Sequence, residues 1–226
     1  MFCFLFITLQ KFKYKINMKV TLVNGSPHKE GCTYTALKYI SEILSSEGID
    51  TEIFWIGNKA ISGCIGCEFC YQHQRCCFND VVNQFSEKAK EADGFIFGSP
   101  VHFASMSGAM TSFMDRVFFS DGAGNNYLLR KPAAVITSLR RTGGSATLDQ
   151  MQKWLAYNQM PIISSRYWNA IHGQTPEEVM QDTEGLQIMR VLAKNMAWIL
   201  KCIEAGKKTG INPPAIEEKT FMNFIH

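Results

Sequence analysis

Five of the chain's eight cysteines fall between Cys64 and Cys77, in the order Cys64-x-x-Cys67-x-x-Cys70-x5-Cys76-Cys77. Thiolates at such short spacing can surround one centre without moving far, which suits metal, cluster or redox-thiol chemistry. Gly63 and Gly66 give the loop backbone freedom. Zinc is chemically open, although zinc sites more often use two separated cysteine pairs. A loop that carries no metal and only lines a neighbouring site is equally open. Cys77 is a fifth thiol that could replace Cys76.

A second constellation is Asn24-Gly-Ser-Pro-His-Lys-Glu-Gly-Cys-Thr-Tyr34, which runs directly into a helical pattern. It is neither Gly-x-Gly-x-x-Gly nor a Gly-Lys-Ser/Thr loop, so a Rossmann dinucleotide turn and a P-loop are both disfavoured. It still suits a phosphate. Gly25 and Gly31 let backbone approach a ligand, and Ser26 and Thr33 offer hydroxyls. First-turn N–H groups near Cys32 to Thr35 point at an anion with the helix dipole behind them. His28 or Lys29 adds positive charge. The bland alternative is a Gly/Pro turn with a Thr cap.

Two further stretches belong with these. Gly98-Ser-Pro-Val-His-Phe103 has the flat apolar surface that a ring system needs. Pro100 removes a ladder donor and turns the chain outward. Thr137-Ser-Leu-Arg-Arg-Thr-Gly-Gly-Ser145 offers Gly143 and Gly144 for close approach to a flat ligand. Arg140 and Arg141 there suit developing negative charge or a cofactor phosphate. A pair of plain surface arginines, and a core role for Phe103, are the competing readings.

The elements that must position these residues alternate between strand and helix. Strands are expected at Val20–Asn24, Thr51–Ile56, Gly94–Phe97, Ala133–Thr137 and Pro161–Ser164. Helices are expected at Thr33–Ser45, after a cap at Asn79 or Asp80, at Ser107–Phe119, and at Asp182–Ala205. Such alternation implies parallel pairing through right-handed crossovers. It predicts an α/β, doubly wound, five-stranded parallel sheet of order 2-1-3-4-5 with helices on both faces. Ligands of that architecture sit outside the carboxyl ends of the strands, where the three unusual loops fall.

The bulk numbers agree with a single domain. The chain has 226 residues, is 46% hydrophobic and 19% charged, and carries a formal net charge of +3. That charge is too small to argue for nucleic acid. No apolar run reaches membrane-spanning length. Residues 1–17 begin with an apolar stretch followed by Lys11, Lys13 and Lys15, the reverse of a secretory signal. They are expected to be a leader or a non-native start. An added strand, an interface arm and a membrane anchor are the alternatives. The domain itself is expected over 18–206, with a tail from 207 to 226. Cysteine clustering without a signal points to a reducing cytoplasm.

Gly25-Ser26-Pro27-x-x-x-Gly31-x-Thr33, followed by Gly98-Ser-Pro-Val-His-Phe103 with Ser107-Gly108 and Phe113-Met-Asp-Arg-Val117, resembles the NADPH-dependent FMN reductase and iron–sulfur flavoprotein families. The resemblance runs from about Val20 to Lys201. It implies a flavodoxin-like fold with one FMN. The phosphate would lie at Ser26, His28, Gly31, Cys32, Thr33 and Tyr34, and the ring along Pro100, Val101, His102 and Phe103. The families usually carry Arg at the place of His28 and Asn at that of Cys32, and often Tyr at that of His102. The cysteine run resembles the motif with which iron–sulfur flavoproteins bind a [4Fe–4S] cluster, through Cys64, Cys67, Cys70 and Cys76.

The reading that follows is an NAD(P)H-dependent reductase of flavin, quinone or a similar small acceptor, with NADPH or NADH as co-substrate. No catalytic acid or base is assigned, though His102 is a candidate proton donor. An electron carrier to or from ferredoxin is the alternative, and a flavin-binding interaction module with little turnover is a third. Tyr167-Trp168-Asn169 with His172 reads as a pocket wall or dimer contact. Phe118, Phe119 and Trp168 are expected to be exposed where the subunits of a homodimer or homotetramer close the site.

Overall fold

The computed structural model describes residues 18–218, 220 and 222. The expected leader, residues 1–17, lies outside the described residues. Strand β1 (Lys19–Asn24) is an apolar run buried along almost its whole length, as a strand covered on both faces must be. It pairs in parallel with β2 (Asp50–Trp55) on one side and β3 (Gly94–His102) on the other. Strands β5 (Ala133–Leu139) and β6 (Ala170–His172) continue the sheet, giving the order β2-β1-β3-β5-β6. A two-residue strand β4 (Ser105–Met106) folds back antiparallel on the end of β3.

Five parallel strands therefore follow the doubly wound order, but the sheet has six strands and its edge is not where the apolar pattern put it. Pro161–Ser164 touches the sheet only through one bridge, Ala133 to Ile162. Pro161 has no N–H to offer a ladder, and it is Ala170–His172 that pairs with Thr137–Leu139. That upper half of β5 is what holds the true edge strand.

Helices cover both faces. On one side α1 (Cys32–Ser46) and α7 (Thr183–Lys208) pack on Val20, Leu22, Ile96 and Ile136. On the other, α3 (Val81–Ala89), α4 (Gly108–Ser120) and α5 (Gly144–Tyr157) pack on Val23, Phe95, Phe97 and Val135. Phe95 and Phe97 face one layer and Ile96 the other, the alternation of a strand. Phe54, Phe85, Phe97 and Phe113 form an aromatic cluster, with Phe85 and Phe113 centroids 5.2 Å apart. Short helices α2 (Phe69–His73) and α6 (Pro176–Val179) lie in the loops, and a π-helical turn, Asp121–Asn125, extends α4. Among the described residues, no helix is long and apolar enough to cross a membrane.

Helix α5 begins at Gly144, a stretch read from sequence only as a loop. Gly143 caps it at φ 92°, so the glycine pair turns the strand into a helix.

Candidate functional site

The loop after β1 is built by its own polar groups. Asn24, fully buried, donates from Nδ2 to the Lys29 carbonyl at 3.1 Å and accepts the Ser26 N–H at 3.1 Å. Trp55 closes the other side by donating from Nε1 to the Ser26 carbonyl at 2.8 Å. Neither Asn24 nor Trp55 was singled out from sequence, although an Asn at a strand end before Gly-Ser-Pro is a turn signal. Gly31 caps α1 with no side-chain acceptor. The first-turn N–H groups of α1 are thus left for a ligand. An open cleft of about 590 Å³ borders the turn, lined by His28, Gly31, Cys32, Trp55, Asn58 and Thr175.

Not every expected phosphate ligand faces that cleft. Ser26 is buried and its Oγ accepts the His28 N–H at 3.1 Å. Thr33 is buried too, with Oγ1 2.7 Å from Ser138 Oγ. Both hydroxyls brace the loop. His28 is exposed and Tyr34 half-buried. Burial pushes the Cys32 thiol up, and the nearby Glu178 and Glu177 add to this.

The β3–β4 hairpin is the second wall. His102 pairs with Ser105, leaving Phe103 (φ 49°) and Ala104 (φ 60°) as the two central residues. Positive φ at both positions is the geometry of a type I′ turn, which favours Asn and Gly. Here it carries a fully exposed Phe103, so that residue is not core. Pro100 and Val101 are half-buried and His102 is exposed. Beneath the hairpin runs a hydroxyl network. Ser107 Oγ donates to the Gly25 carbonyl at 2.9 Å, Ser99 Oγ accepts the Ser107 N–H at 3.1 Å, and Thr137 Oγ1 donates to the Ser99 carbonyl at 3.0 Å. It ties the ends of β1, β3 and β5 into one platform.

Gly143 approaches the hairpin, not open space. A Cβ there would stand 2.6 Å from Ala104 Cα and 2.8 Å from Val101 Cγ1. Gly144 is buried against Leu139 and Thr137. The pair's expected approach to a ligand is in this structure an approach to protein, because α5 starts here. Gln150 of α5 holds the hairpin from below, accepting from Ser105 Oγ at 2.6 Å. Arg140 and Arg141 are both exposed.

The cysteine loop lies on the far half of α4. Cys64, Cys67, Cys70, Cys76 and Cys77 all line one narrow cavity together with Phe78 and Arg116. Asp115 accepts the Cys64 N–H at 2.9 Å. Asn83 clamps Cys76 from both sides, accepting its N–H at 2.9 Å and donating to its carbonyl at 3.0 Å. Arg116, 1% exposed, forks onto Asp80 at 2.7 and 2.9 Å and donates from Nε to Cys76 Sγ at 3.2 Å. Burial pulls against its charge, but Asp80 and Cys76 outweigh that and hold the guanidinium above its ordinary value.

The cysteines themselves differ. Cys70 is pushed up by burial. Cys67 is exposed, and the Phe69 backbone N–H aimed at its sulfur lowers it. Cys67 and Cys77 share a hydrogen bond, Sγ to Sγ 3.4 Å, which pushes Cys77 up to about 11. Among the described residues, no group of three or more His, Cys, Asp or Glu converges as a site for a single metal ion.

Of the aromatics expected at an interface, Phe118 is buried in the core while Phe119 and Trp168 are exposed. Phe118 faces inward because α4 turns that side to Phe97, 5.7 Å away between centroids. Phe119 instead borders a cavity of about 470 Å³ with Tyr71, Asp115, Gln150, Trp154 and Tyr157.

A doubly wound parallel sheet with three loops gathered at the carboxyl ends of β1, β3 and β5 defines a flavodoxin-like domain. Residues 18–175 match the family described as NADPH-dependent FMN reductase, and the chain belongs to it: it is a flavoprotein and an FMN-dependent oxidoreductase. An iron–sulfur flavoprotein of Methanocaldococcus jannaschii is 32% identical over 195 residues, covering 83% of this chain and 100% of that one. Another, from Clostridioides difficile, is 28% identical over 92% of this chain and 87% of its own. Among solved structures, RosB with bound 8-demethyl-8-formylriboflavin-5′-phosphate superposes with a TM-score of 0.66 at 15% identity, covering 92% of this chain and 98% of that one. A flavone reductase gives 0.65 at 16% identity, covering 83% and 64%. These two likenesses speak of the fold alone.

Proposed function

We propose that this chain is an electron-transferring flavoprotein. FMN is bound across the ends of β1, β3 and β5, a [4Fe–4S] cluster in the cysteine cavity, and a ferredoxin-like protein exchanges electrons through the cluster. The observation that carries the reading is the gathering of all five loop cysteines around one cavity beside a buried arginine. The names of the relatives support it. A cluster spreads its thiolates wider than a single ion does, so a donor set that fails to converge on a point is no obstacle. About 20 Å³ lies free between the thiols. A cluster held there would need the exposed arm from Ile65 to Glu68 to give way.

When bound, FMN supplies one- and two-electron redox chemistry at its ring, and the cluster supplies single-electron steps. The protein binds and orients. N–H groups of Cys32 to Tyr34 hold the phosphate with the dipole of α1 behind them. The exposed His28 lines the same cleft. Pro100, Val101 and Phe103 would shelter the ring, and the exposed His102 on the same hairpin is the proton donor that this reading assigns. Ser107, which caps the start of α4, donates to the Gly25 carbonyl in the loop that this reading gives to FMN, and Arg116 on the same helix donates to Cys76. Nine residues of helix separate them, roughly 13 Å at 1.5 Å per residue. One rigid element therefore links the two centres. Exposed Tyr71, Phe119 and Tyr157 form the surface on which a second subunit would pack.

A nicotinamide-driven reductase is the second reading, favoured by the family and by the exposed Arg140 and Arg141 beside the hairpin. Protein purified and reconstituted without oxygen separates the two. The carrier reading expects flavin absorption together with a broad shoulder near 400 nm (roughly, as for cluster-to-thiolate bands). It also expects rapid reduction by reduced ferredoxin and little bleaching by NADPH. Full bleaching by NADPH within seconds, with no iron bound, would establish the reductase instead.

A further inference from the structure

Five thiols face a centre that has four corners. Resting on the cluster reading above, the geometry points to which two share a corner. Three of the five are fixed by the protein. Cys64 is held through its N–H by Asp115 at 2.9 Å. Cys70 is buried within α2. Cys76 is clamped at both backbone groups by Asn83 and at its sulfur by Arg116. The remaining two, Cys67 and Cys77, lie Sγ to Sγ at 3.4 Å. They arrive from opposite ends of the loop and address the same point of the cavity. Cys77 also interacts with its sequence neighbour Cys76, but Arg116 and Asn83 already hold Cys76 in place, and the stronger contact of Cys77 is with Cys67, ten residues away.

We propose that Cys67 and Cys77 are alternative ligands at one corner of the cluster. Whichever one does not bind donates a thiol hydrogen bond to the bound thiolate of the other. The exposure of Cys67, on the outer arm of the loop, makes this the corner that opens to solvent and to a partner protein. The spare thiol keeps the corner occupied if its partner is oxidised or displaced. No bond changes oxidation state in this exchange. One thiolate leaves iron and takes up a proton, while the other gives up its proton and binds.

The test uses the full chain with FMN, reconstituted anaerobically with iron and sulfide. Iron and acid-labile sulfide are measured per chain for wild type, C67A, C77A, C67A/C77A, C64A, C70A and C76A. C67A and C77A are each expected to hold a cluster, lost to a chelator roughly tenfold faster than from wild type. The double variant and each of C64A, C70A and C76A are expected to hold none. The cluster midpoint potential should fall in C67A and in C77A, since a hydrogen bond to cluster sulfur is lost in both. Thermal melting and FMN content separate a missing ligand from a misfolded chain.

If C67A holds no cluster while C77A matches wild type in iron, chelator lifetime and potential, Cys77 is a bystander and the inference fails. The reverse pattern, with Cys77 indispensable and Cys67 silent, overturns it as well. If wild type itself takes up no iron, it is the cluster reading that falls, before any question of shared corners arises.

Discussion

At the scale of single residues, Arg116 shows how a charge becomes worth burying. Its side chain has no exposed surface, yet every face has a partner: the Asp80 carboxylate, the Ser62 carbonyl, the Cys76 sulfur, and the Phe78 ring 4.7 Å from the guanidinium carbon. Removing one member of such a pair leaves the other desolvated and unpaired, typically at a cost of about 3–5 kcal/mol. Asp80 is about one-third exposed, so water recovers part of that. Arg116→Ala is therefore expected to destabilise the fold by about 3 kcal/mol in urea denaturation. Arg116→Lys, which keeps the charge but not the planar fork, should recover only part of the loss. If Lys restored full stability, geometry would be irrelevant at this site. The Phe-Met-Asp-Arg-Val motif was legible in the sequence as a family likeness. The roles of Asp115 and Arg116 were not, because they depend on contacts to residues some 36 to 51 positions away. Ser26 and Thr33 show the opposite failure: hydroxyls of the right type at the right spacing that the loop consumes for its own bracing.

At the scale of elements, the β3–β4 hairpin places two consecutive non-glycine residues at positive φ. Ala104 sits at φ 60° and Phe103 at φ 49°, where a Cβ costs roughly 1–2 kcal/mol per residue. Glycine removes that cost but gives back about 0.5–1 kcal/mol in backbone entropy. Ala104→Gly is thus expected to raise stability by about 0.5 kcal/mol while leaving Phe103 in place. A thermal melt should move upward, and FMN affinity should hold or improve if the turn keeps its shape. A clear loss of stability would mean that the turn is relaxed. Gly143→Ala should act in the other direction, since its Cβ would collide with Ala104 Cα at 2.6 Å. Element positions were well marked in the sequence wherever a run was long and periodic, as in β1, α1 and α7. They failed at the sheet edge and at α5. Pro161-Ile-Ile has a strand's composition without a strand's hydrogen bonds. Helix α5 is capped by Gly143 without a side-chain acceptor, so its start lacks the Ser, Thr, Asp or Asn that marks most helix N-termini.

At the scale of the molecule, the far end of the sheet is tied by charge and not by ligand loops. Glu52 on β2 meets Lys19 of β1 at 2.9 Å and also pairs with Lys88 of α3, so one carboxylate links three elements. Hydrogen bonding to Lys88, with Lys19 adding, holds its carboxyl below the ordinary 4.5, while the bond to Glu52 raises Lys19 above 10.5. The signs fix the window. A depressed carboxyl contributes stability that is complete above its unfolded value and lost as pH falls through the folded one. A raised lysine contributes stability that is complete below its unfolded value and lost as pH rises through the folded one. The network should therefore act fully between about pH 4.5 and 10.5 and fade outside that range. Glu52 is about one-quarter exposed, and partly exposed pairs contribute about 1 kcal/mol or less. Glu52→Gln is expected to lower unfolding free energy by that amount at neutral pH, less so in 1 M salt, where screening shortens to about 3 Å. Urea titrations of both proteins, carried down to about pH 3, should converge as the carboxylate is protonated. A difference that persists unchanged to that pH, or that ignores salt, would assign the contribution of Glu52 to packing across β2 and α3 and not to its charge.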